Sequence, residues 1–145
     1  MCKLRRQYRR LTIFEVMVAT SGAQLLPQIA VKTLRKELLP LTTVLTPNIP
    51  EARLLLEDAG LEEIKIQNID DLKQMARAIR RLGPRYVLLK GGHMPFTRDR
   101  IAALSDDEKQ LVIDILAGPD GEAVLETGFI ISKNTHGTGC SLACL

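Results

Sequence analysis

Tyr86-Val87-Leu88-Leu89-Lys90 is a continuous apolar run ending in a lysine, and Gly91-Gly92-His93 follows it directly. Short unbroken runs of this kind are the mark of a strand buried on both faces of a parallel sheet. What precedes it fixes the fold class. Across Asp70–Leu82, the residues Leu72, Met75, Ala76, Ile79 and Leu82 share one helical face, while Lys73, Arg77, Arg80 and Arg81 fall elsewhere. Gly83-Pro84 ends that helix. A helix leading straight into a buried strand is half of a βαβ unit, so the chain is expected to be a layered α/β domain.

Upstream the same alternation continues. Thr12–Ala19 (TIFEVMVA) predicts a strand, and Thr20–Gly22 a turn. Gln28–Leu39 predicts a helix with Ile29, Leu34 and Leu38 on its stripe, stopped by Pro40. Thr42–Thr46 is a short β-branched strand. Pro50 suits the first turn of a helix running to about Asp58, and Gly60 supplies the C-terminal stop. Downstream, Gln110–Leu116 and Glu122–Glu126 flank Gly118-Pro119-Asp120-Gly121, which predicts an antiparallel hairpin at the sheet edge. Phe129–Ser132 is expected to form one more short strand, before a glycine-rich loop and the start of a helix at the end of the chain.

Composition narrows the class of partner. Of 145 residues, 46% are hydrophobic and 26% charged, with 3% aromatic and no Trp, so the core is aliphatic. The net charge of +3 comes from Lys3, Arg5, Arg6, Arg9 and Arg10; the remainder carries 15 basic and 17 acidic residues. A basic head on a slightly acidic body does not spread cations over a folded face, as nucleic-acid binding requires. Cys2, Cys140 and Cys144 are odd in number and unevenly placed, which argues against a disulfide framework and for a reducing compartment. No run reaches the length of a membrane span. The expected location is cytoplasmic.

Three segments carry candidate chemistry. Asn134–Cys140 (NTHGTGC) places two glycines two apart between a strand and an apolar helical start, where backbone N–H groups can converge on an anion. Such turns also serve simply to cap helices. Thr46-Pro47-Asn48-Ile49-Pro50-Glu51 sets an amide and a carboxylate three residues apart at a strand-to-helix junction, where ligands bind in α/β sheets. The carboxylate can hold a magnesium-bound water, or the pair can be a capping box. Lys90, at a strand end before two glycines, can approach a nucleotide phosphate or merely reach solvent. His93 and His136 lack the spacing and company of metal ligands.

Taken in order, VMVATSG (16–22), LTPNIPE (45–51), LLKGGH (88–93) and THGTGCSLA (135–143) resemble the hydroxymethylpyrimidine/phosphomethylpyrimidine kinases of thiamine biosynthesis, in their fungal form. The resemblance runs from about Val16 to Leu145. It implies a three-layer ribokinase-like sandwich with a mainly parallel sheet, of which this chain is the C-terminal part. It implies ATP and Mg2+ as cofactors, a pyrimidine alcohol and its phosphate as substrates, no nucleic-acid or membrane partner, and a homodimer. By the same resemblance Gly137, Thr138 and Gly139 form an anion hole and Cys140 acts as base on the substrate hydroxyl. Asn48 and Glu51 stand near magnesium and phosphate, with Glu51 the metal residue, and Lys90 lies near the nucleotide phosphates. Related pyridoxal kinases usually carry Asp where Cys140 stands, which makes that branch the alternative; an inactive remnant of the kinase is another. The family's Asp-Pro before the first of these segments is replaced by Phe14-Glu15. Residues 1–14 are expected to be a divergent head outside the fold, and 15–145 a partial kinase domain.

Overall fold

The computed structural model describes residues 11–13, 25–92 and 94–130. Five strands form one sheet in the order β1-β2-β3-β4-β5: β1 Leu11–Ile13, β2 Thr42–Leu45, β3 Tyr86–Leu89, β4 Leu111–Gly118 and β5 Gly121–Gly128. The first three are parallel and the last two antiparallel. β1 pairs with β2 through Leu11↔Thr42, Thr12↔Val44 and Ile13↔Leu45, with an irregularity after Leu11. The expected boundary of the head is therefore corrected: Leu11, Thr12 and Ile13 belong to the sheet. The rest of the strand expected over Thr12–Ala19 lies outside the described residues.

Parallel neighbours need crossover connections, and helices supply them here. The first, α1, is helical over Gln28–Thr33, widens to a π turn over Leu34–Leu38, and tightens to a 3₁₀ turn over Leu39–Leu41 that contains Pro40. The Leu39 N–H bonds to the Leu34 carbonyl, five residues back. That wider turn brings Leu34 and Leu39 inward together with Val31, all at most 4% exposed. It also corrects the expected stripe, because Ile29 is 72% and Leu38 41% exposed.

Helix α2 covers Ile49–Asp58 and helix α3 covers Ile69–Arg80. α2 ends at Gly60, whose φ of +73° is a left-handed stop that favours glycine. Asp58 ties α2 back to α1, accepting from Gln28 and pairing with Arg35. Leu72, Met75, Ala76 and Ile79 of α3 are completely buried, as the periodicity predicts. Each large side chain among them contributes about 1.5–3 kcal/mol by leaving water.

α3 packs on β3 and β4, α2 on α3, and α1 on α2. Under this layer lie Val87, Leu89, Ile113, Ile115 and Ala117, all at most 1% exposed. Tyr86, Leu88, Val112 and Leu116 occupy the alternate positions and are only half-buried. The expectation that YVLLK is buried on both faces is thus corrected: one face is core and the other is partly open. β4 and β5 form the expected edge hairpin, in register from Leu111↔Gly128 to Gly118↔Gly121. The strand expected at Phe129 does not form at Phe129 and Ile130, although the Phe129 N–H still bonds to the Gln110 carbonyl.

Candidate functional site

The carboxyl ends of β2 and β3 lie side by side, and they bring three of the predicted site residues together. Asn48, three residues past β2, and Lys90, one past β3, form a parallel bridge, and the Lys90 N–H donates to the Pro47 carbonyl at 2.9 Å. Glu51 is one turn into α2. Its backbone N–H donates to Asn48 Oδ1 at 2.8 Å, and its Oε2 accepts from the Asn48 N–H at 2.8 Å. The capping box considered from the sequence is therefore present in full. Glu51 is also 2% exposed, a buried carboxylate at a helix N-terminus, where the helix dipole favours negative charge.

The chain contains its own control for this motif. Asn68 caps α3 in the same manner: its side chain accepts from the Asp70 and Asp71 N–H groups, and Asp71 Oδ2 accepts from the Asn68 N–H. The N-x-x-acid pattern thus occurs twice, each time as a complete capping box. Capping alone accounts for its geometry both times, so the pattern by itself does not mark a site. What sets Asn48 and Glu51 apart is their place at a strand end against Lys90. Asn68 instead bridges to Ile101, in the loop after β3.

Two further residues at this end escaped the sequence reading. Thr46 is 5% exposed, and its hydroxyl has no hydrogen-bond partner among the described residues. A buried hydroxyl without a partner costs about 1–3 kcal/mol and calls for a ligand, ion or water. Asp114 of β4 accepts the Gly91 N–H at 2.8 Å. The only charge inside the apolar run Leu111–Gly118 was its signal in the sequence.

Gly91 itself is fixed by close approach: a Cβ there would lie 1.9 Å from the Ile113 carbonyl oxygen. Among the described residues, the Lys90 ammonium has no ion-pair partner, and no group of three or more His, Cys, Asp or Glu could hold a metal. Gly137, Thr138, Gly139, Cys140, His136 and His93 lie outside the described residues. No helix among those described is long and apolar enough to cross a membrane.

A lysine, an N-cap amide and a buried carboxylate thus meet at the strand ends of an α/β sheet, the edge at which ligands bind in such folds. Comparison with known proteins resolves it further. The family model described as phosphomethylpyrimidine kinase matches residues 3–145, and the chain belongs to that family. Over 128 residues it is 44% identical to a hydroxymethylpyrimidine/phosphomethylpyrimidine kinase of Synechococcus elongatus, covering 88% of this chain and 42% of that protein. A crystal structure of phosphomethylpyrimidine kinase from Clostridium difficile is 38% identical, with a TM-score of 0.58 over 80% of this chain and 42% of that one. The pyridoxal kinase of Staphylococcus aureus in complex with AMP-PCP is 28% identical, with a TM-score of 0.67 over 93% of this chain and 43% of that one.

The mixed α/β fold is therefore ribokinase-like. The chain spans less than half the length of the curated relatives it matches, 42% of the one named above and 24% of another from Schizosaccharomyces pombe.

Proposed function

We propose that this chain is the nucleotide-phosphate half of a kinase that transfers the γ-phosphoryl group of ATP to 4-amino-5-hydroxymethyl-2-methylpyrimidine, and then to its monophosphate, in thiamine biosynthesis. The observation that carries the reading is the meeting of Asn48, Glu51 and Lys90 at adjacent strand ends, in a chain matched to the family along nearly its whole length. Lys90 supplies positive charge to the nucleotide phosphates. Asn48 and the first turn of α2 form the adjoining wall.

Glu51 is the residue that would hold Mg2+, through water. One carboxylate suffices, because Mg2+ keeps several waters and takes its remaining ligands from substrate phosphates. The Thr46 hydroxyl at the same strand end, without a partner among the described residues, fits a site that is completed by a ligand. When bound, the ion neutralises charge on the phosphates.

In the transfer, the substrate hydroxyl oxygen forms a bond to the γ-phosphorus while the bond from that phosphorus to ADP breaks. The hydroxyl proton goes to Cys140 as thiolate. The backbone N–H groups of Gly137, Thr138 and Gly139 steady the transferred group. A homodimer and a cytoplasmic location belong to the same proposal. The pyridoxal kinase likeness has the higher TM-score of the two structures but the lower identity, so pyridoxal is the competing substrate.

The test is phosphorylation by the full natural protein containing this chain, with products resolved by mass. The pyrimidine alcohol is expected to gain one and then two phosphates, and Cys140→Ala to lose about 100-fold or more in rate. Preference for pyridoxal, or no ATP-dependent product at all, would overturn the reading.

A further inference from the structure

We infer that Asp114 is the positioning residue for Lys90, holding the exit of β3 so that the lysine ammonium is left free for a nucleoside triphosphate. This rests on the phosphate-binding role proposed for Lys90.

The register sets the two residues opposite each other. β3 and β4 pair antiparallel through Val87↔Ala117, Leu88↔Leu116 and Leu89↔Ile115, and Lys90 and Asp114 are the next residue on each side of that pairing. Strand alternation puts both on the half-open face, away from the buried Leu89, Ile113 and Ile115. An opposed lysine and aspartate would ordinarily pair. Here no salt bridge joins them. The carboxylate instead accepts the Gly91 N–H at 2.8 Å.

The backbone at Lys90 is thus held on both sides. Its own N–H is bound by the Pro47 carbonyl and the next N–H by Asp114. Gly91 can lie this close only because it lacks a Cβ, its backbone packing directly on the Ile113 carbonyl. The arrangement spends the carboxylate on the main chain, and among the described residues no salt bridge engages the Lys90 ammonium. A hydrogen bond donated to a carboxylate is stronger than one donated to a neutral acceptor, so this contact is suited to fixing the turn.

The experiment compares ATP with adenosine as ligands of the full chain, by titration calorimetry, in wild type, Asp114→Asn and Asp114→Ala. Asn keeps an oxygen for the Gly91 N–H, so ATP affinity is expected within about twofold of wild type. Ala removes the acceptor and is expected to weaken ATP about tenfold, the loss of one charge-assisted bond. Adenosine, which lacks the phosphates, should stay within about twofold. Equal loss of both ligands, or no loss of either, overturns the inference.

A wild type that binds no ATP would sink the proposed function rather than this inference. The inference is then judged by the ¹³C resonance of reductively methylated Lys90, assigned with Lys90→Arg. Displacement of that resonance in Asp114→Ala but not in Asp114→Asn supports it, and an unmoved resonance overturns it. If Asp114→Ala does not fold, Asp114→Thr, whose β-branched chain suits a strand, replaces it in both comparisons.

Discussion

Asn48→Ala and Asn68→Ala form a matched pair that separates capping from ligand binding. Each removes an N-cap side chain: Asn48 accepts from Glu51 N–H, while Asn68 accepts from Asp70 and Asp71 N–H. Loss of an N-cap costs about 1 kcal/mol, within a range of roughly 0.5–2. The partner acids keep their bonds to the cap backbone, since those use the main-chain N–H, so each helix loses its cap and retains half its box. With a urea slope of about 2 kcal/mol per M, each variant should unfold about 0.5 M earlier by circular dichroism. Stability should therefore fall in both, by at least as much in Asn68→Ala, whose side chain accepts two N–H groups. ATP affinity, measured on the same samples, should fall only in Asn48→Ala, because only that cap adjoins Lys90. If both variants lose ATP binding in proportion to stability, or neither does, Asn48 is a cap and nothing more, and the reasoning fails.

Other expectations follow from the same contacts. Glu51→Gln keeps an oxygen for the Asn48 N–H but loses the charge at the start of α2, so it should cost roughly 0.3–1 kcal/mol in unfolding while abolishing Mg2+-dependent nucleotide binding in a calorimetric titration. Gly91→Ala drives a methyl group into the Ile113 carbonyl and should destabilise by about 2 kcal/mol or more, whereas Gly92→Ala, with open space around it, should leave the thermal midpoint nearly unchanged. Met75→Ala, at a fully buried position of α3, should cost about 2–5 kcal/mol by chemical denaturation. Lys109 holds the Asp106 carboxyl below its ordinary range through a side-chain hydrogen bond and then charge attraction. A carboxyl depressed in the folded state favours folding above its unfolded pKa and loses that effect as pH falls through the folded value. Lys109→Ala should accordingly raise the Asp106 midpoint in an NMR pH titration, with any change in pH-dependent stability confined to acid, below about pH 4.

The order of elements was legible because it is written in local rules. Leu72, Met75, Ala76 and Ile79 repeat at helical spacing, Gly118–Gly121 marks a turn, and Pro50 and Gly60 bound a helix. The phase of α1 was not legible, because a π turn shifts which residues face inward and its cause lies in how Leu34 and Leu39 pack. The burial of Tyr86–Leu89 was overestimated because an apolar run reads alike whether one face or two are covered. For the site, residue types and motif order pointed to Asn48, Glu51 and Lys90. Their meeting and the hold of Asp114 on Gly91 are matters of register between strands more than twenty residues apart.

By itself, then, the sequence determined the α/β class, the helix limits and the family, since periodicity, turn chemistry and motif spacing act over a few residues. Only the tertiary structure set the two N-x-x-acid boxes apart, by placing one of them at a strand end against Lys90. Both are complete capping boxes. The difference lies in what the sheet sets beside them, Lys90 in one case and the Ile101 loop in the other.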